Sequence, residues 1–284
     1  MNRKLLAVYG LKYNPFSQEV PTEALAEMPH IEHFSWRVEN LAREGGFALA
    51  TGAAGHGKSS AMRILQARLS ALVDLRVGVL SRPQSGVADF YRELGELFGV
   101  SLSPHNRWAG AKVLRQRWQA HIEQSLFRPV LLVDEAQEMI TATLTELRLL
   151  CSDRLDSRML LTVVLGGDGR LTERFRTEEL LSLGSRMRVR LNLEPLTPTQ
   201  LHEVLLHRLT AAGSPKLMTG GLEQTLCEHA AGNLRVLMTM ADQLLAEGLK
   251  REVAQLDEKL YLEVFSVPGS TPSKAKRGKA RRRR

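Results

Sequence analysis

The chain has 284 residues, 43% of them apolar and 25% charged, with two cysteines and a formal charge of +8. These values exclude a disulfide-stapled scaffold, a collagen-like or wholly disordered chain and, since no apolar run nears the roughly 20 residues a bilayer demands, a membrane-spanning one. Eight basic residues and no acid fall within Lys274–Arg284; the remaining basic residues equal the 31 acids, so the body is formally neutral and the basic character belongs to the tail.

No signal-peptide apolar segment follows Met1, and Cys151 and Cys227 sit in apolar helical patterns, as reduced core thiols do. The expected compartment is therefore cytoplasmic, with no membrane partner.

Residues 1–29 read as a proline-punctuated arm whose Tyr9-Gly10-Leu11-Lys12-Tyr13-Asn14-Pro15-Phe16 gathers aromatics around a turn. The arm either packs those aromatics on the domain or walls an adenine pocket. Ile31, Phe34, Val38 and Leu41 predict a helix over 30–43, stopped by Gly45-Gly46, with a buried strand at Phe47–Ala50. A helix over 59–72 and a strand over Leu75–Leu80 follow. Val87, Phe90, Tyr91, Leu94, Leu97 and Phe98 then form a core-facing helical stripe. A second helix from Ala109 sets Leu114, Trp118, Ile122 and Leu126 on one face. Pro129–Val133 is apolar throughout, as a central parallel strand is. Leu144, Leu147 and Leu150 predict a helix, Leu160–Leu165 a buried strand and Arg188–Leu193 a last strand. From Thr197 to Phe265 only helices are expected: one opened by a Thr197-Pro198-Thr199-Gln200 capping box, then 221–231, 234–249 and 256–265.

Two motifs carry chemistry. Gly52-Ala53-Ala54-Gly55-His56-Gly57-Lys58-Ser59-Ser60 is a complete phosphate-binding loop between a strand and a helix. Its glycines let successive backbone N–H groups face phosphate oxygens, and the helix opening at Lys58 aims its positive end there. Lys58 is expected on the β- and γ-phosphates of ATP and Ser59 on Mg²⁺. Asp134 follows Ser59 by 75 residues, and Asp134-Glu135 stands at the carboxyl end of the apolar strand, where ligands bind in open α/β sheets. Asp134 is expected in the Mg²⁺ shell, with Glu135 polarising the attacking water. The fold class expected is α/β, a parallel sheet with helices on both faces followed by a small all-α lid.

The order of these signals resembles the AAA+ ATPases, with Walker A at Gly52–Ser59 and Walker B at Asp134-Glu135. Gly232-Asn233-Leu234-Arg235 looks like their sensor 2 region, which implies Arg235 at the γ-phosphate. Tyr9-Gly10-Leu11 with Asn14-Pro15-Phe16, Val164-Leu165-Gly166 and Ser185-Arg186 are similar to the ExeA-like branch, which includes secretion ATPases and transposon regulators of the TnsC, MuB and IstB type. That family's usual sensor 1 asparagine is missing after the strand at 160–165; the nearest polar residue is Asp168. Arg186 is the choice for an arginine finger acting on a neighbouring subunit, ahead of Arg174, Arg188 and Arg190.

This resemblance implies an ATPase that oligomerises as a ring or helical filament on duplex DNA, marks a target site, recruits a transposase with its target-selector proteins, and disassembles on hydrolysis. Its DNA contacts would be sequence-independent and directed to the backbone, with Arg82, Asn106, Arg107 and Lys112 as candidates. Other readings are a secretion-type ATPase working with a membrane partner, a replication initiator or helicase loader, and a P-loop kinase. Against the secretion reading stand the lack of a membrane segment and of a peptidoglycan-binding domain; against the kinase stands the lid. The tail would bind DNA, dock on an acidic partner or maintain solubility. The expected division is an arm at 1–29, an α/β nucleotide-binding domain at 30–195, a helical lid at 196–266 and a disordered basic tail at 267–284.

Overall fold

A computed structural model of the chain describes residues 2–100, 107–124, 126–153 and 157–265. The basic tail of the sequence reading and the candidate DNA contact Asn106 lie outside those residues.

Five strands build the central sheet: β1 (Gly46–Gly52), β2 (Leu75–Leu80), β3 (Arg128–Val133), β6 (Thr162–Gly167) and β7 (Met187–Leu193). All pairings are parallel, in the spatial order β2-β3-β6-β1-β7. A two-stranded antiparallel hairpin, β4 (Ser152–Asp153) with β5 (Arg158–Met159), stands before β6. Thr51 pairs with Gly167 and Val133 with Leu165, so the carboxyl ends of β1, β6 and β3 finish level, and the residues that follow them meet.

Period-two alternation divides the core between the two faces. Ala48 and Ala50, Val130 and Leu132, and Val164 face α2 (Pro29–Glu44) and α3 (Lys58–Ser70). Phe47 and Leu49, Leu131 and Val133, and Val163 and Leu165 face the other core. That second core is closed by α4 (Val87–Phe98), α5 (Arg107–Glu123), α6 (Thr141–Cys151), α7 (Gly169–Arg174) and α8 (Leu181–Gly184). Trp118 of α5 is fully buried and packs edge-on against Phe98 at 5.3 Å between ring centres.

After β7 come α9 (Pro198–Ala212), α10 (Gly220–His229), α11 (Leu234–Arg251) and α12 (Glu258–Phe265). Their apolar faces join the first core without a break, and so does the N-terminal arm: Leu5, Tyr9, Leu11, Phe16 and Val20 are buried in the same cluster as Leu201, Leu237 and Leu244.

The expected elements are all present, with informative differences. Residues 2–9 are a helix, α1 (Asn2–Tyr9), rather than an irregular arm, since Leu5 and Tyr9 share one face that packs against α11. The strand expected at 160–165 begins and ends two residues later. Gly166 and Gly167, past the expected strand end, continue the strand, and glycine suits the space there: added Cβ atoms would stand 3.1 Å from Asp134 and 2.7 Å from Leu171. Leu126, expected on the buried face of α5, lies past the helix end and is 52% exposed.

The capping box opening α9 is formed in both directions: Thr197 Oγ1 accepts from Gln200 N at 3.2 Å, and Gln200 Oε1 accepts from Thr197 N at 3.0 Å. Thr197→Ala removes one half of it and is expected to cost about 1 kcal/mol, read as a lower denaturation midpoint with an unchanged m-value.

Candidate functional site

The phosphate loop takes its shape from glycines at the two positions where the backbone turns left-handed, Gly55 at φ 84° and Gly57 at φ 89°. Gly57 is the N-cap of α3, whose 13 residues aim their unpaired N–H groups at the loop. Lys58, 7% exposed, turns its Nζ back onto the carbonyls of Gly52 and Ala53, at 2.9 and 3.1 Å. Its charge is thus held inside the curl of the loop. Ala53 and Ala54 are exposed, Ser59 is exposed on the first turn, and Ser60 and His56 are half-buried. His56 Nδ1 lies 3.3 Å from the carbonyl of Leu193, which ties the loop to the end of β7.

The acidic pair follows β3. Asp134 Oδ1 accepts from the backbone N of Glu135 at 2.9 Å, and Glu135 is itself left-handed at φ 52°, an uncommon state for a side chain of this size. That turn sends the Glu135 carboxylate into the cavity. Arg174 closes the turn from outside, its guanidinium donating to the carbonyls of Gln137 and Met139, both at 2.7 Å.

A third segment arrives from α11. Asn233 caps that helix by accepting from Val236 N at 3.2 Å, while its Nδ2 donates to the carbonyl of Ala54 at 3.1 Å. Arg235 N donates to the carbonyl of Gly55 at 3.3 Å. The approach is close: a Cβ on Gly55 would stand 2.1 Å from Asn233 Oδ1. The exposed Arg235 side chain then lines the cavity beside Lys58.

The arm completes the enclosure. Asn14 Nδ2 donates to Asp242 of α11 at 2.6 Å, and Arg208 of α9 donates to the carbonyl of Pro15 at 3.0 Å. Burial, reinforced by the Arg63 charge, pulls the Arg208 guanidinium down to about 10, leaving it cationic near neutral pH. The arm therefore packs its Tyr9 and Phe16 rings and also forms a wall.

The result is a cavity of about 790 Å³ bounded by the phosphate loop, Glu135, the start of α11 and the arm. Pockets of roughly 300–1,000 Å³ suit small molecules and cofactors, and Lys58 and Arg235 in its lining suit a polyphosphate. Ser59 and Asp134 offer the oxygen donors that a hard divalent cation takes.

Of the residues singled out from sequence, Lys58, Ser59, Glu135 and Arg235 converge here, with Asp134 directly behind Glu135. Asp168 does not turn toward the cavity: its carboxylate caps α7 through Arg170 N at 3.0 Å and pairs with the Arg170 guanidinium. Arg186 is half-buried just before β7, beside Cys151, whose thiol burial pushes up against the Arg186 charge. Seven residue steps, from Arg186 to Leu193 opposite Gly52, separate it from the level of the phosphate loop, roughly 23 Å. Arg188 pairs with Glu44, and Arg190 donates to the carbonyl of Gly184. Arg82 and Lys112 are exposed, on the loop after β2 and on α5; Arg107 opens α5. Sequence reasoning missed Asn233, Gln137, Arg208 and Asp242 as site-builders. Only Asn233 had a local signal, a helix N-cap type beside the sensor-like arginine.

The chain is similar to known proteins in sequence and in fold. A family model described as AAA domain matches residues 41–175. General secretion pathway protein A of Aeromonas hydrophila is 29% identical over 248 residues, covering 86% of this chain and 44% of that protein. The chain thus spans less than half the length of that relative. Among solved structures, the ADP form of the Aeropyrum pernix ORC2 protein matches with a TM-score of 0.71 at 13% identity, over 89% of this chain and 72% of that one. Cdc6p of Pyrobaculum aerophilum matches at 0.68 and 14%, over 85% and 67%. The Aeropyrum pernix ORC1 protein in complex with DNA matches at 0.66 and 16%, over 88% and 67%. The fold is the P-loop AAA+ fold. Among the described residues no helix is long and apolar enough to cross a membrane.

Proposed function

We propose that this AAA+ ATPase, of the ExeA/Cdc6-like type, is a regulator of transposition that assembles on duplex DNA with ATP bound and leaves it on hydrolysis. In this reading Lys58 and Arg235 hold the β- and γ-phosphates. Ser59 and Asp134 hold Mg²⁺, which supplies charge neutralisation on the phosphates. Glu135 takes the proton of the attacking water.

The observation that carries the reading is the separation of Lys58 from Arg186 by the length of β7. A finger at that distance from its own loop serves a second copy, which makes assembly head-to-tail and hydrolysis dependent on it. DNA as the polymer is supported by the exposed Arg82 and Lys112 and by the likeness to ORC1 in its DNA complex. Transposition rests on the ExeA-like motifs, Tyr9–Phe16 and Ser185-Arg186 among them.

Electron microscopy of the chain with ATP, with and without duplex DNA at low salt, tests this. Rings or filaments should form on DNA with ATP and be lost with ADP. No assembly on DNA under any of these conditions overturns the proposal. The match to general secretion pathway protein A favours a second reading, an ATPase serving a membrane secretion partner. ATP-dependent assembly indifferent to DNA would put that reading first.

A further inference from the structure

Gln137 lies two residues beyond Glu135, in the 3-10 turn Ala136–Glu138, and is 7% exposed. Both ends of its amide are used. Oε1 accepts from the backbone N of Asp168 at 3.2 Å, and Nε2 donates to Glu135 Oε2. Chemistry leaves only one orientation for this amide. A backbone N–H demands an acceptor and a carboxylate demands a donor, so the oxygen must face Asp168 and the NH₂ must face Glu135.

The surroundings are built to this arrangement. The end of β6 carries Gly167, where a Cβ would stand 2.9 Å from Gln137 Oε1. The backbone carbonyl of Gln137 is held by Arg174. Glu135 lines the cavity shared with Lys58 and Ser59, whereas Gln137 does not. Gln137 therefore touches the carboxylate from behind, outside the space a nucleotide would fill.

We infer that Gln137 is a positioning residue for hydrolysis: it fixes one oxygen of Glu135 and leaves the other facing the cavity, tied through Asp168 N to the end of β6. This inference rests on Glu135 being the base that activates water. A buried glutamine that merely filled space would keep the turn folded and have no influence on kcat at unchanged KM.

Gln137→Glu separates these roles. A glutamate at this position still accepts from Asp168 N, but it sets a second carboxylate against Glu135. That carboxylate cannot donate to Glu135 Oε2 and repels it, so the oxygen that Gln137 fixes is released. The kcat should fall about tenfold with the KM for ATP unchanged. Gln137→Met removes the donor without adding charge and should also lower kcat at unchanged KM. Wild-type kcat in Gln137→Glu, or a loss seen in KM alone, overturns the inference. If that variant does not melt cooperatively, wild-type kcat in Gln137→Met overturns it instead. Glu135→Gln, run in parallel, isolates the premise: retained hydrolysis there refutes the role of Glu135, while lost hydrolysis beside an unaffected Gln137→Glu refutes only that of Gln137.

Discussion

Glu135→Gln is expected to keep ATP bound and to slow its hydrolysis by roughly 10²–10⁴-fold, the usual worth of a positioned general base. The substitution is close to isosteric, and the left-handed turn at φ 52° that presents the side chain is held by the backbone bond to Asp134 and by Arg174 below it. Neither anchor depends on the charge of the carboxylate. The cavity should therefore retain its shape, and ATP affinity should stay within a few-fold of wild type. Single-turnover hydrolysis alongside nucleotide retention on a filter separates the two quantities. In the proposed cycle, assemblies on DNA should outlast those of the wild type, because the step that ends them is blocked. Hydrolysis within a factor of about ten of wild type would assign the base elsewhere.

Lys58→Ala is expected to fail one step earlier. Lys58 is buried in the curl of the loop, and the charge it carries there is the one best placed to meet the phosphates. Hydrogen bonds to charged partners are worth about 1.5–3 kcal/mol, so removing it should weaken ATP binding roughly 10- to 150-fold. Hydrolysis should fall further, since the same charge meets the transferring phosphoryl group. The fold should survive, because the lysine contacts only loop carbonyls that solvent can reach once it is gone. Isothermal titration with ATP reads the first effect, and DNA loading at a fixed ATP concentration reads the consequence. Equal loading by wild type and Lys58→Ala would disconnect DNA binding from nucleotide.

The two variants probe parts of the site that were legible in the sequence for a physical reason. The phosphate loop and the acidic strand end are local: each needs a few consecutive residues in one backbone conformation, so spacing alone reveals them. The sheet was legible for the same reason, through unbroken apolar runs such as Pro129–Val133 and the alternation of Arg188–Leu193.

What was not legible is long-range. Gln137 meets Asp168 across 31 residues, and Asn233 meets Ala54 across 179. No periodicity encodes such meetings; they follow from β1, β3 and β6 ending level and from α11 returning to the loop. Gly166 and Gly167 fell outside the expected strand, whereas here they keep strand geometry while making room for Asp134 and Gln137. Arg174 stood behind Arg186 as a choice of finger, but the surroundings of neither were readable in the chain. The carbonyls of Gln137 and Met139 around one, and the length of a strand between the other and the loop, set them apart.

The union of the N-terminal arm with the helices after β7 bears on how this chain comes into being. Asn14 finds Asp242 only across 228 residues, and Leu5, Tyr9, Leu11 and Phe16 share a core with residues of α9 and α11. At roughly 5–20 residues per second of synthesis, the apolar side chains of the arm wait about 10–45 s for the partners in α9 and α11 that cover them. The arm is thus made well before the helices that cover it, and its apolar face becomes native only once they exist.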